Sequence, residues 1–420
     1  MATRVSAENV ERVWSLLSKA MMDAEGLQNP YPLLREMHAY GDHVRTPDGV
    51  YAVFGYDRVN ELTRSAHFKK ETQAVFSSAF AGATQQQLDQ LRDAAARESP
   101  FLVLLNPPDH TRIRGIVNRG FLQTQLAALR PTIQFHIDRL LGNIDPTRPV
   151  DIIGSFSSLF APEIVGHLIG LPADQREIVS RQTARQMRGF DPSASFAEQL
   201  DGARARVEQA DYIRAIIADR RKTPREDFIT ALITQSDAQR LISDAELVAL
   251  IQILYIGGYE TTSHMIGNGI VALLTHPDQL AALRAAPELM RAAVDEMLRF
   301  DGPISLTQVV AAEGAELGGL PAEVGATYIG LLGAANHDPA AFDHPDRFDI
   351  GRPRKASASF AGGAHFCLGA GLAKLELELV FGELIRRFPD MQLADSKLMR
   401  IPAFHQRAYQ AVSILLQPGH

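Results

Sequence analysis

Cysteine is almost missing from this sequence, because its 420 residues contain only one. A single thiol cannot close an intramolecular disulfide, which excludes a disulfide-stabilised secreted domain and favours a reducing compartment. Positive charge is not in excess either, since 49 acidic residues outweigh 42 basic residues and the formal net charge is −7. Without a basic surface to bind phosphates, we expect no nucleic acid partner.

Long apolar runs are also scarce. Residues 247–258 form an uncharged apolar stretch, but a transmembrane helix needs roughly 20 such residues. The N-terminal MATRVSAENVERVW lacks the apolar core of a signal peptide. We therefore expect a cytoplasmic protein with no membrane partner.

The sequence lacks linker-like runs of Gly, Ser or Pro and has no internal repeat, whereas helical periodicity is abundant. Helices are predicted over residues 247–274 and 289–300, and a third begins after Cys367. A Pro-Asp-Gly turn within residues 44–54 predicts a hairpin. Short strands are expected near residues 308–312, residues 327–331 and the C-terminal AVSILLQ. The predicted fold class is mainly α with a minor β component.

The lone cysteine lies in an unusual segment, FAGGAHFCLGAGLAKLELE, in which Cys367 precedes the third helix. A helix N-terminus supports a thiolate through its free N–H groups and its macrodipole. Gly362, Gly363 and Gly369 permit tight turns that aim backbone amides at the sulfur. An isolated cysteine is more often a small buried apolar residue, but these surroundings favour a thiolate ligand of a metal.

This segment resembles the signature of the bacterial cytochrome P-450 family: Phe, two residues, Gly, three residues, Cys, one residue, Gly. Phe360, Gly363, Cys367 and Gly369 match it, while Ala361 stands where a glycine is common. The resemblance runs from about residue 30 to the C-terminal strand pair. It implies a single-domain cytochrome P-450 fold over residues 1–420, with haem b between the long central helix and the cysteine-loop helix. Cys367 is then the axial iron ligand, and Phe360, Gly363 and Gly369 belong to the cofactor-binding loop.

The long helix contains GGYETT, in which glycines and threonines are locally unfavourable. Read alone, the segment could equally be a helix C-cap at Gly257-Gly258 followed by a polar turn. The family resemblance implies instead that Thr261 carries the hydroxyl beside bound dioxygen and Glu260 the acid that supplies protons. O–O cleavage needs two protons, which explains an acid and a hydroxyl side by side.

In VDEMLRF, Glu296 and Arg299 are three residues apart and can pair on one helical face. Such spacing usually produces an exposed ion pair of little energetic value. The resemblance implies a buried pair joined by Arg347 of the later PDRF segment. Because unpaired buried charges are costly, that network should matter for folding.

Haem propionates are anions that need cationic or hydrogen-bonding partners. The resemblance assigns this role to His110 and Arg114 of LNPPDHTRIRG and to His365 of the cysteine loop. The family usually has a further propionate-binding arginine in the strand PISLTQVVA, where this sequence has Val309. We expect one charge fewer in the propionate site, and we expect Val309→Arg to be tolerated.

The leading interpretation is a monooxygenase that inserts one oxygen atom from O2 into an apolar small molecule by hydroxylation or epoxidation. Electrons are expected from a separate ferredoxin and its NAD(P)H-dependent reductase, with docking through basic residues such as Arg112, Arg119 and Lys374. A monomer is expected. The residues that the resemblance places at the substrate are apolar: Phe101, Leu102, Leu104, Ile256, Ile304, Leu306 and Phe404.

Two alternatives remain open at this point. A haem-thiolate peroxygenase or a non-oxygenating rearranging enzyme would share Cys367, but it would not need the pair Glu260 and Thr261. A non-enzymatic haem sensor would share the cofactor, but sensors generally carry an output module, for which this sequence has no spare length.

Overall fold

The structure is a computed structural model that describes residues 7–71, 84–95, 98–190, 194–239, 241–395 and 397–416. Helices dominate these residues and the strands are short, which confirms the predicted mainly α class with a minor β component. Within the same ranges, none of the helices has both the length and the apolar character needed to cross a bilayer.

The α-helices have the following bounds. They are α1 (Ala7–Met22), α2 (Ala24–Gln28), α3 (Tyr31–Met37), α4 (Tyr56–Arg64), α5 (Gln85–Ala95), α6 (Asp109–Val117), α7 (Gln123–Gly142), α8 (Ser158–Ile169), α9 (Arg176–Phe190), α10 (Phe196–Lys222), α11 (Phe228–Gln239), α12 (Asp244–Thr275), α13 (Pro277–Ala285), α14 (Met290–Asp301), α15 (Leu332–Asn336) and α16 (Ala370–Arg387). Single 3₁₀ turns include Leu102–Leu104, Ala358–Phe360 and Gly363–His365.

The strands form three small sheets. They are β1 (His43–Arg45), β2 (Tyr51–Val53), β3 (Phe68–Lys69), β4 (Val150–Asp151), β5 (Leu306–Ala311), β6 (Glu316–Leu317), β7 (Leu320–Pro321), β8 (Thr327–Leu331), β9 (Gln392–Leu393) and β10 (Ser413–Leu415). The sheet orders are β1-β2-β8-β5-β3, β4-β10-β9 and β6-β7. The predicted hairpin and the predicted strand over residues 327–331 are confirmed.

Contacts between Cα atoms divide the chain into two compact units. Unit 1 comprises Met1–Lys69, Ile133–Leu159 and Thr261–His420, and unit 2 comprises Lys70–Thr132 and Phe160–Glu260. The single domain over residues 1–420 stays a prediction.

The five-stranded sheet of unit 1 has an apolar cluster on one of its faces. Val309 of β5 lies opposite Tyr328 of β8, and both pack with Val59 and Leu62 of α4. Alternating strand residues point to opposite faces, so this cluster fixes which residues of β5 face the interior. The sheet thereby sets the path of the segment that carries Ile304, Leu306 and Val309, which are discussed below.

Unit 2 contains the close pair of helices α9 and α10. Gly189 and Gly202 allow the approach, because a Cβ built on Gly189 would lie 3.0 Å from the Cα atom of Gly202. Helix α10 begins with a capping box, in which Ser195 and Glu198 each accept a hydrogen bond from the other's backbone N–H. Local sequence therefore starts this helix, and small residues position it.

Helix α12 is 32 residues long. The N–H of Ser243 donates to the Glu246 carboxylate at 2.7 Å, and the N–H of Glu246 donates to the Ser243 hydroxyl at 3.3 Å. This capping box starts the helix ahead of the predicted residue 247. The helix continues without a break through GGYETT, so the alternative of a C-cap at Gly257-Gly258 is wrong.

Candidate active site

The cysteine loop of unit 1 closes on itself through its backbone. The N–H of Cys367 donates to the carbonyl of Phe360 at 3.0 Å, and the N–H of Phe366 donates to that of Gly363 at 3.1 Å. Gly363 has a φ of +61°, and a Cβ at this residue would lie 2.6 Å from the main-chain oxygen of Thr63. Only glycine combines this backbone conformation with so close an approach.

Ala361 adopts a conformation that is unusual for a residue with a side chain. Its φ is +53° and its ψ is −152°, a region that essentially only glycine populates. The departure from the family signature at this position therefore introduces backbone strain.

The thiol of Cys367 is placed to act as a ligand. Cys367 is exposed and lies two residues before Gly369, the N-cap of the 18-residue helix α16. Unsatisfied N–H groups and the helix dipole favour a thiolate there. A Cβ built on Gly369 would have no atom of the described residues within 4 Å. An accessible thiolate followed by open space at a glycine fits a haem iron ligand.

The expected pair of Glu296 and Arg299 is formed and buried in α14. The Arg299 guanidinium donates two parallel hydrogen bonds to the Glu296 carboxylate, both at 2.8 Å. The two side chains are only 2% and 4% exposed. Arg299 also donates to the carbonyls of Asn336 and Pro345 at 2.8 Å and to that of Arg347 at 3.1 Å.

The third member of this network differs from the prediction. The Nε of Arg352 lies 3.2 Å from both carboxylate oxygens of Glu296, whereas Arg347 contributes its carbonyl and its side chain is exposed. The assignment of the Arg347 guanidinium was therefore wrong. The chain turns after Arg347, so that Arg352, five residues later, reaches the Glu296 carboxylate.

Thr261 and Glu260 are consecutive residues of α12, and both are half-buried. The next residue, Thr262, is buried and donates from its hydroxyl to the carboxyl group of Glu376 in α16 at 3.2 Å. Burial raises the pKa of Glu376 to about 8, so this carboxyl group is protonated at neutral pH. Sequence reasoning missed Glu376, because it lies in LAKLELELV, where leucine and glutamate alternate.

His110 and Arg114 lie one turn apart on α6 of unit 2. His110 is 2% exposed, and its pKa is lowered by burial and by the nearby charge of Arg114. A neutral imidazole donor next to a guanidinium has the chemistry needed to bind a carboxylate. The two residues thus fit the predicted propionate role within their own unit.

His365 and Val309 occupy different surroundings in unit 1. His365 is half-buried and ends the 3₁₀ turn Gly363–His365, two residues before Cys367. Val309 is 5% exposed and belongs to the apolar cluster on the sheet. A guanidinium at residue 309 would enter that cluster, so the expectation that Val309→Arg is tolerated is not supported.

The predicted substrate residues are brought together within each unit. In unit 2, Phe101 and Ile256 share one apolar cluster with Ala249, and Leu102 and Leu104 bound the adjoining 3₁₀ turn. In unit 1, Leu306 and Phe404 share another cluster. Ile304 lies next to them, because it forms a β-bridge with Gln406.

Comparisons with known proteins agree with this geometry. A family model described as Cytochrome P450 matches residues 194–402. Cytochrome P450 107B1 of Saccharopolyspora erythraea is 33% identical over 383 residues, which cover 89% of this chain and 90% of that protein. The biotin biosynthesis cytochrome P450 of Bacillus subtilis is 30% identical over 406 residues, which cover 96% of this chain and all of that protein.

A solved structure shares the fold. The crystal structure of P450BioI in complex with hexadec-9Z-enoic acid ligated acyl carrier protein superimposes with a TM-score of 0.85 and 28% identity, covering 94% of this chain and 99% of that one. This chain belongs to the cytochrome P450 family. It is a haem-dependent monooxygenase, which is an oxidoreductase. Its relatives act on small molecules and use O2 and redox partners.

Proposed function

We propose that this enzyme uses haem b, held by the Cys367 thiolate, to insert one oxygen atom from O2 into an apolar small molecule by hydroxylation or epoxidation. The observation that carries the proposal is the glycine loop that presents the exposed Cys367 at the start of α16. When bound, the haem supplies the oxygen-activating chemistry, and the chain supplies binding, orientation and protons.

The propionate groups are assigned to His110, Arg114 and His365. The support is the chemistry of the side chains, since His110 and Arg114 are neighbours on α6 and His365 belongs to the cysteine loop. Phe360, Gly363 and Gly369 complete the proposed cofactor loop. Glu296, Arg299 and Arg352 act at a distance from the cofactor, because they hold the backbone of residues 336–349 in place.

Proton delivery is assigned to Glu260 and Thr261. Insertion of one oxygen atom leaves the second atom as water, which consumes two protons and two electrons. The carboxylate of Glu260 would take protons from solvent, and the Oγ1 hydroxyl of Thr261 would hold the last proton in position. The support is that both side chains are half-buried and adjacent on an unbroken helix.

The proposed electron donors are a ferredoxin and an NAD(P)H-dependent ferredoxin reductase. The proposed oligomeric state is a monomer. The docking residues need revision, because Arg112 pairs with Glu246 at 2.6 Å and Lys374 with Asp295 at 2.7 Å. The side chain of Arg119 lies outside the described residues. A cation that already pairs with an acidic side chain attracts an acidic ferredoxin less strongly. Arg112 and Lys374 are therefore weaker candidates for the docking surface than unpaired cations would be.

The first test is Cys367→Ser. We expect loss of the red-shifted ferrous–CO absorption band that thiolate ligation produces, because the chain has no second cysteine. Difference spectra of the purified parent and variant measure this directly. A variant that keeps the shifted band would exclude Cys367 as the ligand.

The second test separates a monooxygenase from a peroxygenase. Thr261→Ala should still bind haem and consume NAD(P)H through the redox partners, but it should release more hydrogen peroxide and less product per electron pair. Thr262→Ala would be a poor control because Thr262 binds the buried Glu376. Ser263→Ala is better, since the Ser263 hydroxyl pairs with the Ser157 hydroxyl at 3.2 Å and not with an acid. Full coupling in Thr261→Ala, or product formed only from added peroxide, would contradict the proposal.

A further inference from the structure

One face of α12 continues past Thr261 with polar residues. His264 and Asn268 follow Thr261 at the spacing of i+3 and i+7, which places all three on the same helical face. The side-chain amide of Asn268 donates to the carbonyl of Asp301 at 2.9 Å and to that of Arg407 at 2.8 Å. The C-terminal segment of unit 1 therefore lies against this face at the level of Asn268.

The same segment also reaches His264. His405 is near enough to influence the ionisation of His264. Four residues of helix, from Asn268 back to His264, rise about 6 Å, and two residues of extended chain, from Arg407 back to His405, span about 6.6 Å. The segment thus follows the helix towards Thr261, and Phe404 comes next along this path.

His264 has an unusual combination of properties. Burial, followed by the influence of His405, lowers its pKa to about 4, yet the residue as a whole is only half-buried. Protein atoms therefore enclose much of this side chain, although part of the residue remains accessible. Among the described residues, none forms a hydrogen bond with Nδ1 of His264 or with Oγ of Ser305.

Ser305 belongs to the same neighbourhood. Its N–H donates to the carbonyl of His405 at 3.0 Å, and the residue is 5% exposed. Its neighbours in sequence, Ile304 and Leu306, are two of the proposed substrate residues, and both are half-buried. Polar atoms therefore interrupt an apolar lining at one place.

We propose that His264, with His405 beside it, is a hydrogen-bonding anchor for the substrate. The anchor lies about 4.5 Å along the helix axis from Thr261, since three residues separate them. The substrate class that fits is an apolar molecule with one uncharged oxygen substituent, either a hydroxyl or a carbonyl group. This assignment rests on the proposed function and makes its substrate class more specific.

The chemistry of the anchor favours a neutral ligand. A neutral imidazole can donate or accept one hydrogen bond through Nδ1, depending on its tautomer. A carboxylate ligand would be bound most strongly by a protonated ring or beside a second cation, and burial and the nearby imidazole of His405 both disfavour the protonated ring. A pure hydrocarbon would leave a buried polar atom without a partner, which costs affinity.

The experiment compares ligands with one carbon skeleton. Cyclododecane, cyclododecanone, cyclododecanol and cyclododecanecarboxylic acid are titrated into the haem-loaded enzyme, and dissociation constants are read from the Soret shift. Two further sets, based on decalin and bornane, vary the shape. The variants are His264→Leu, which is apolar and suits a buried site, His264→Asn, which keeps a hydrogen-bonding group, and the control Ser263→Ala.

In the parent and in Ser263→Ala, the ketone or alcohol of at least one set should bind about tenfold more tightly than its hydrocarbon, the effect of one hydrogen bond. His264→Leu should abolish that preference without weakening hydrocarbon binding, and His264→Asn should retain part of it. Tightest binding of the acid, no preference or no binding in all three sets, or equal losses for every ligand in His264→Leu would overturn the assignment.

The ferrous–CO spectrum keeps the two levels of proposal distinguishable. A parent protein without the red-shifted band fails at the proposed function. A parent with that band but without a preference for oxygenated ligands fails only at the anchor.

Discussion

Two buried glutamates of unit 1 lie in opposite electrostatic surroundings. Glu296 accepts hydrogen bonds from the guanidinium groups of Arg299 and Arg352. Glu376 accepts from the Thr262 hydroxyl at 3.2 Å, and burial raises its pKa to about 8. Both residues lie in helices and both are nearly inaccessible. The difference lies in the partners, which are two guanidinium groups for Glu296 and one neutral hydroxyl for Glu376.

Asp301 supports the same conclusion. Its burial opposes ionisation, but the charges of Arg400 and Arg407 outweigh burial and lower its pKa. The Tyr31 hydroxyl also donates to it at 2.7 Å. Where cations are present the acid is ionised, and where only a hydroxyl is present it keeps its proton.

The largest expected effect comes from removing the cation beside Glu296. Arg299→Ala removes the bidentate partner of the buried Glu296 carboxylate and the donor to the carbonyls of Asn336 and Pro345, so the free energy of unfolding should fall by about 3–5 kcal/mol. Chemical denaturation and haem content measure the loss. Arg347→Ala is the matched control, because that side chain is exposed, and it should change stability by no more than about 0.5 kcal/mol. Equal effects of the two variants would contradict this description of the network.

The second variant, Val309→Arg, places a cation among apolar side chains. Val309→Arg inserts a guanidinium into the apolar cluster formed with Tyr328, Val59 and Leu62, and it should destabilise by about 3 kcal/mol. Val310→Arg, on the opposite and half-buried face of β5, should cost much less. Thermal unfolding compares them, and an unchanged melting temperature for Val309→Arg would restore the expectation of tolerance.

The third variant removes the titration of Glu376. The pKa of this carboxyl group is raised from 4.5 to about 8 in the folded state. The folded protein therefore binds this proton more tightly than the unfolded chain does. Its contribution to stability is complete below pH 4.5 and is lost as the pH rises through about 8. Glu376→Gln should therefore gain stability relative to the parent as the pH rises, by about 2–4 kcal/mol at pH 9.

Unfolding of the parent and of Glu376→Gln at pH 5 and pH 9 tests this expectation. Glu378→Gln, on the same helix, serves as the control and should follow the pH profile of the parent. A constant difference between parent and Glu376→Gln across the range would show that Glu376 does not titrate on its own.

The smallest effect concerns backbone strain in the cysteine loop. Ala361→Gly relieves the positive φ of +53° and should stabilise the protein by about 1 kcal/mol. Ala364→Gly, in the adjacent 3₁₀ turn with ordinary φ, should instead destabilise by about 0.5–1 kcal/mol. Melting temperatures that shift in the same direction for both variants would exclude strain as the cause.

Sequence reasoning succeeded where the signal is local. The spacing of Glu296 and Arg299, the glycines around Cys367 and the periodicity of α12 each depend on residues within one or two turns. These patterns predicted a pair, a loop and a helix, and the structure contains all three.

The features that it missed depend on contacts between distant segments. Arg347 and Arg352 lie in a stretch without regular structure, so the sequence could not tell which guanidinium reaches Glu296. His264 and His405 are far apart in sequence and meet only because the C-terminal segment follows α12. Val309 was aligned to the correct strand, but its burial among apolar neighbours depends on the packing of α4 against the sheet.

Besides the Glu296 carboxylate, Arg299 binds three main-chain carbonyls of the segment that follows β8. Hydrogen bonds from a guanidinium to main-chain carbonyls fix the position of the backbone, but they do not depend on which side chains that backbone carries. The exposed Asp343 and Arg347 are therefore open to replacement, provided that the peptide units keep their positions. Surface charge can accordingly be varied at these two residues without changing the hydrogen bonds that fix the backbone.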